Sequence, residues 1–167
     1  PPSAGGETGE YYHKMLAEVD EALKNYQEEC PSLRGLKPTW GGFIWFQGWN
    51  DMFNQDALAQ YEENLVHLIK DLRTRLNQPN LPVVVGELGN MGEDAGTNMK
   101  LIREAQRKAC QRKEWKGRVS FVKTTNFARP KEESPNVGHG HHWFGNAESY
   151  FLIGDALGKE MVRLLKN

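Results

Sequence analysis

The chain has 167 residues and a mass of 19.0 kDa, one domain's worth and enough to bury a sizeable core. Hydrophobic residues at 38% and charged residues at 26% set it apart from disordered and fibrous chains. A formal net charge of -1 lacks the basic field that a nucleic-acid binder needs, and no apolar run reaches transmembrane length, so neither nucleic acid nor membrane is an expected partner.

The chain opens on Pro1-Pro2-Ser3-Ala4-Gly5-Gly6, with no initiator Met and no signal-peptide pattern. This reads as a loop leading into a helix, and the expectation is a chain that begins partway through a longer protein. From 10 to 29, Met15, Leu16, Val19, Leu23 and Tyr26 recur at helical spacing, until Pro31 and Gly35 end the element. An apolar run at 42–47 reads as a buried strand. A second helix over 57–76 carries Leu58, Tyr61, Leu65, Leu68 and Leu72 as one stripe, and Asn77, Pro79 and Pro82 stop it.

Val83-Val84-Val85-Gly86 is a short β-branched run suited to a buried parallel strand, and Glu87, Gly89, Asn90 and Gly92 follow it. The spacing predicts a third helix over 97–112, packed through Leu101, Ile102, Ala105 and Ala109, and a third strand over 119–123. A polar loop over 126–145 holds His139, His141 and His142. The last helix, 146–165, places Tyr150, Ile153, Leu157, Met161 and Leu164 on one face. Gly154 and Gly158 lie on or beside that face, which predicts close approach of the helix to a sheet. Strands and helices that alternate in this way imply a parallel sheet covered on both faces, and three strands make a thin sheet for runs this apolar. Cys30 and Cys110 have no metal-ligand spacing and neither demand nor exclude a disulfide.

Two segments carry chemistry. In Trp45-Phe46-Gln47-Gly48-Trp49-Asn50-Asp51, a polar turn follows the first strand's carboxyl end, where open α/β sheets collect ligands. A neutral amide there suits an oxyanion, and Gly48 lets backbone approach closely; a strand-to-loop turn closed by an Asx-type hydrogen bond explains the same residues. In Gly138-His139-Gly140-His141-His142-Trp143-Phe144-Gly145-Asn146, a loop just before a helix can hold an imidazole free to exchange protons near neutral pH. Its rivals are a surface histidine loop without a role, a sugar-binding surface beside Trp143 and Phe144, and a metal site, which lacks a carboxylate or cysteine at ligand spacing. Of five tryptophans, Trp45 reads as core, while Trp49 and Trp143 stand beside the candidate site and could stack on a sugar ring.

Gly48-Trp49-Asn50-Asp51 resembles the G-x-N-D block of the SGNH (GDSL-like) hydrolases. With Trp45-Phe46-Gln47 in front, it is similar to the W-[FY]-Q-G element of the sialate O-acetylesterase-like carbohydrate esterases. That family more often reads Q-G-E-S-[DN] here, so Trp49 and Asn50 depart toward the broader SGNH pattern. The resemblance covers nearly the whole chain as the C-terminal portion of one such domain. It implies a three-layer α/β/α fold with a five-stranded parallel sheet, in which the N-terminal strands missing from this chain lie upstream.

The resemblance further implies hydrolysis of an acetyl ester on a carbohydrate through an acyl-serine, without a cofactor or metal, in an extracellular or periplasmic setting. Residue by residue, it puts the oxyanion hole on Gly48 and Asn50, the general base on His142, and substrate contacts on Gln47, Trp49 and Trp143. Arg103-Glu104-Ala105-Gln106 is similar to an R-x-A-Q stretch of the same esterases, and is also ordinary helix surface. The family's triad acid lies three residues before the histidine, where this chain has His139; Glu132, Glu133, Glu87 and Asp51 are the remaining candidates. Ser3, Ser32, Ser120, Ser134 and Ser149 all stand outside any Gly-rich strand-to-helix turn, so the resemblance puts the nucleophile on an N-terminal portion of the same protein. A non-catalytic carbohydrate-binding domain on this fold is the alternative from another class. A flavodoxin-like ligand site ranks below both, because no Gly-rich phosphate loop follows any strand.

Overall fold

The computed structural model describes residues 5–166; Pro1 to Ala4, with the first part of the expected leading loop and Ser3, lie outside the described residues. Three strands, β1 (Phe43–Trp45), β2 (Val83–Gly86) and β3 (Val119–Val122), form one sheet in the order β1-β2-β3. Both pairs are parallel, with Ile44 opposite Val84 and Val84 opposite Ser120. Four helices accompany them: α1 (Glu10–Glu29), α2 (Gln55–Arg75), α3 (Thr97–Cys110) and α4 (Ala147–Leu165).

The strand period of two divides the core. Val83 and Val85 face α2 and α3, where Tyr61, Leu65, Ile69, Ile102 and Ala109 are buried with them. Val84 faces the other way, onto Ile153, Leu157 and Leu164 of α4. The crossovers β1-α2-β2 and β2-α3-β3 both advance in one direction along the sheet, so crossovers of one hand put α2 and α3 on the same face. The helix after β3 then returns over the opposite face, which completes three layers.

Local chemistry sets the ends. Asn54 caps α2 by accepting from the Ala57 amide at 3.0 Å, and Asn146 caps α4 by accepting from the Ser149 amide at 3.1 Å. The main chain from Leu81 to Asn90 is buried throughout. Beyond β2, Gly89 touches the turn after β3: a Cβ there would lie 2.6 Å from the Thr124 carbonyl carbon and 2.7 Å from the Thr125 nitrogen.

Several apolar stripes read from the sequence are wider than the faces they bury. α1 buries none of its residues; Leu23 is exposed, and Met15, Leu16, Val19 and Tyr26 are only half-buried. Its links to the rest include Arg75 Nη2 to Asp20 Oδ2 at 2.6 Å, which joins it to α2. Leu101 and Tyr150 are exposed as well. Gly154 and Gly158 do not serve close packing: a Cβ on either would meet nothing within 4 Å. Helical spacing specifies a stripe, whereas the width of the partner surface decides how much of it is covered.

Gly154→Ala should raise the unfolding free energy by about 1 kcal/mol, the helix-propensity difference, because the added methyl enters open space. Gly89→Ala should lower it by about 3 kcal/mol, since backbone rather than a flexible side chain must yield. Urea unfolding of the two variants against wild type checks both signs.

Candidate active site

Three segments converge at the carboxyl edge of the sheet around a cleft of about 480 Å³. The segment after β1 contributes Phe46, Gln47, Gly48, Trp49 and Asn50; the segment after β2 contributes Leu88 and Asn90; the loop before α4 contributes His141, His142 and Trp143, with Tyr150 from the helix itself. All six residues singled out in the sequence, Gly48, Asn50, His142, Gln47, Trp49 and Trp143, therefore line one cavity.

Gly48 is required by its surroundings. Its φ is +150°, and a Cβ would lie 2.9 Å from Ile102 Cγ2 and 3.2 Å from the Tyr61 hydroxyl. The chain then enters a short 3-10 turn, Asn50–Phe53, which leaves Asn50 exposed at the cleft. The Gln47 side chain donates to Asp51 Oδ2 at 2.6 Å, which ties the turn to the end of the strand.

Backbone contacts and an inward-turned aromatic hold the histidine loop. Trp143 and Phe144 adopt left-handed conformations, with φ of 52° and 53°, that non-glycine residues rarely enter. This reversal points Trp143 inward, where it is 5% exposed and stacks on Phe46 with ring centroids 6.2 Å apart. Trp143 is thus a wall of the cleft, packed with Val84 and α4, rather than a free platform; Trp49 is the more open ring. The Tyr150 hydroxyl donates to the His142 carbonyl at 2.9 Å. Asn90, 2% exposed, donates through Nδ2 to the carbonyls of Gly140 and His141, both at 3.1 Å.

The three imidazoles lie close together. His141 and His142 ring centroids are 4.2 Å apart, His139 is 5.2 Å from His141, and His141 is 5.7 Å from the Trp49 ring. Desolvation, followed by the neighbouring charges of His142 and His139, holds His141 below the ordinary imidazole range.

Among the described residues, no carboxylate lines this cleft. Glu87 is spent on the turn after β3: Oε2 accepts from the amides of Thr124 and Thr125 at 2.9 and 2.8 Å and from the Thr125 hydroxyl at 2.5 Å. Asp51 faces Gln47, Glu132 lines a second pocket with Arg129 and Lys131, and Glu133 is exposed on the turn Lys131–Glu133. Glu87-Leu88-Gly89-Asn90 therefore splits between two tasks: Glu87 and Gly89 build a turn, while Leu88 and Asn90 face the cavity. Position at the carboxyl end of β2 was the signal for the latter pair, but side-chain direction was not readable from it. Cys110 is buried, which pushes its thiol up to about 12, and Cys30 is exposed; both are free thiols.

The family model of the sialic acid-specific acetylesterase carbohydrate esterases matches residues 3–163. The chain belongs to this carbohydrate esterase family. The three-layer fold is similar to the X-ray structure of a protein from Arabidopsis thaliana, with a TM-score of 0.58 and 21% sequence identity. That match covers 87% of this chain and 52% of the Arabidopsis protein, so the esterase-family chain spans about half the length of that structure. No curated protein matches it.

The crowding of the imidazoles has a measurable consequence. Because the folded chain disfavours a proton on His141 relative to the unfolded one, this group withdraws stability as pH falls through the imidazole range and has no effect above it. His142→Gln removes a neighbouring charge and should raise the His141 titration midpoint, as followed by NMR of its ring Cε1 proton. An unchanged midpoint would leave burial and His139 as the causes of the shift.

Proposed function

We propose that the chain supplies the oxyanion block and the general base of a carbohydrate acetylesterase of the SGNH type, with the serine nucleophile on an upstream N-terminal portion of the same protein. The observation that carries this reading is that Gly48, Asn50 and His142 line one cleft at the carboxyl edge of a parallel sheet. In the proposed reaction His142 takes the serine proton as the hydroxyl oxygen attacks the acetyl carbonyl. The Gly48 amide and the Asn50 side-chain amide stabilise the resulting oxyanion. Collapse breaks the bond to the sugar oxygen, which leaves with the proton from the imidazolium, and water then hydrolyses the acyl-serine by the same base. The substrate is an acetylated carbohydrate whose ring stacks on Trp49 and passes Gln47, with Trp143 as the wall behind it.

Room for the upstream portion exists beside β1. Ile44 is 45% exposed and Phe46 36% exposed on the part of the α4 side that the helix leaves uncovered, and β1 is one of the two outer strands among the described residues. A further strand and helix there would bury both side chains and pair the open edge.

The lack of a carboxylate in the cleft favours a second reading, a carbohydrate-binding domain without turnover. Activity separates the two. In the full-length polypeptide, Asn50→Ala should lower kcat for an acetylated sugar by about two to three orders of magnitude, the usual loss for one oxyanion donor. Binding of the sugar without release of acetate by wild type would favour the second reading. Residues 1–167 alone should not hydrolyse 4-nitrophenyl acetate above a His142→Ala control; turnover from this folded segment would place a nucleophile within it.

A further inference from the structure

The side chain of Gln106 is wholly buried on α3, yet it bonds main chain beyond two different strands. Its Oε1 accepts from the Leu88 amide at 2.9 Å, and its Nε2 donates to the Gln47 carbonyl at 3.0 Å and to the Tyr61 hydroxyl at 3.3 Å. Tyr61 in turn donates to the same Gln47 carbonyl at 2.6 Å and accepts from Trp45 Nε1 at 3.3 Å. One turn earlier on α3, Arg103 fixes the β2 side of this frame by donating to the carbonyls of Leu88, Asn90 and Gly92 at 2.7, 2.8 and 3.0 Å. Asn90 then carries the His141 carbonyl, so the frame reaches the histidine loop as well.

The Gln47 carbonyl and the Gly48 amide belong to one planar, trans peptide unit, so they point in opposite directions. Drawing the carbonyl inward onto Gln106 and Tyr61 therefore turns the Gly48 N–H away from α3. Glycine offers little steric resistance to a flip of this peptide, and the opposite orientation would bring the carbonyl oxygen, not the donor, toward a developing oxyanion. Two donors on the Gln47 carbonyl, one of them from the wholly buried Gln106, make an effective lock, because a flip of the peptide would leave the Gln106 amide without that partner.

We infer that Gln106 is a positioning residue for the esterase reaction: it locks the Gln47–Gly48 peptide so that the Gly48 amide and the following Asn50 stay aimed at the reacting carbonyl opposite His142. The inference rests on the oxyanion role proposed above, and the rigidity of the peptide can be measured apart from that role.

Gln106→Met keeps the length of the side chain and removes both hydrogen-bonding functions. In the full-length polypeptide with 4-nitrophenyl acetate, kcat should fall at least about tenfold, part of the loss expected for one oxyanion donor. KM should change by less than about threefold, because an interaction made only in the transition state is lost. A smaller fall in kcat, or a loss confined to KM, overturns the inference. Gln106→Leu also removes both hydrogen-bonding functions; it should show the same split, and it carries the same criterion if Gln106→Met does not fold. Should wild type release no acetate from any ester, the esterase reading fails and NMR order parameters decide the positioning role. The Gly48 and Asn50 amides should then drop from the rigid value near 0.85 to below about 0.6 in the variants while α4 stays rigid. Amides that remain above that limit overturn it.

Discussion

Everything at the functional edge depends on how the main chain leaves β2. The sheet ladder ends at Gly86, but the backbone stays buried as far as Asn90, where no water is available to its amides and carbonyls. The main-chain groups of Glu87 and Leu88 find partners near by. The Glu87 amide donates to the Val122 carbonyl and the Glu87 carbonyl accepts from the Thr124 hydroxyl, while Leu88 is held through its amide by Gln106 and through its carbonyl by Arg103. Replacing a ladder by side chains makes this segment unusually determined, and the cleft is built on it.

The same arrangement explains why a guanidinium is buried on α3. Arg103 spreads its donors over three carbonyls in different directions, which suits a planar fork and would be poorly matched by an ammonium. Burial pulls its basicity below the ordinary guanidinium value, with Glu87 and Glu93 acting in the opposite sense. Glu87 stands nearby with its own carboxylate committed to the Thr124 and Thr125 turn. A residue that looks like a spare catalytic acid in the sequence is consumed by architecture.

The histidine loop is held differently. It carries two left-handed non-glycine residues in succession, Trp143 and Phe144, each costing about 1–3 kcal/mol unless the surroundings over-determine it. Both side chains are buried, Trp143 against Phe46 and the α4 layer, and that burial offsets the strain. The turn places the His142 carbonyl where the Tyr150 hydroxyl donates to it, and leaves the His142 imidazole exposed.

Much of this was present in the pattern of residues. The β-branched run of β2, the parallel order of the strands and the gathering of the Gly48–Asn50 turn with the His142 loop at one sheet edge were all legible there. Strand polarity explains the first of these segments, since a turn directly after a parallel strand emerges at its carboxyl end; the His142 loop shares that edge because α4, which it precedes, runs back over the sheet from there to Arg118. The sequence could not say that α1 would stay uncovered, that Gly154 and Gly158 would face open space, or that Trp143 would turn inward while Trp49 stayed open, since each depends on the area of a distant partner. Nor could it separate Glu87 from Asn90, or show that an ordinary-looking Arg103 and Gln106 on α3 would be the groups that satisfy the buried strand end. Periodicity reports which way a residue points along its own element; only tertiary packing decides what it meets there, because burial and hydrogen-bond partners come from chain segments far away in sequence.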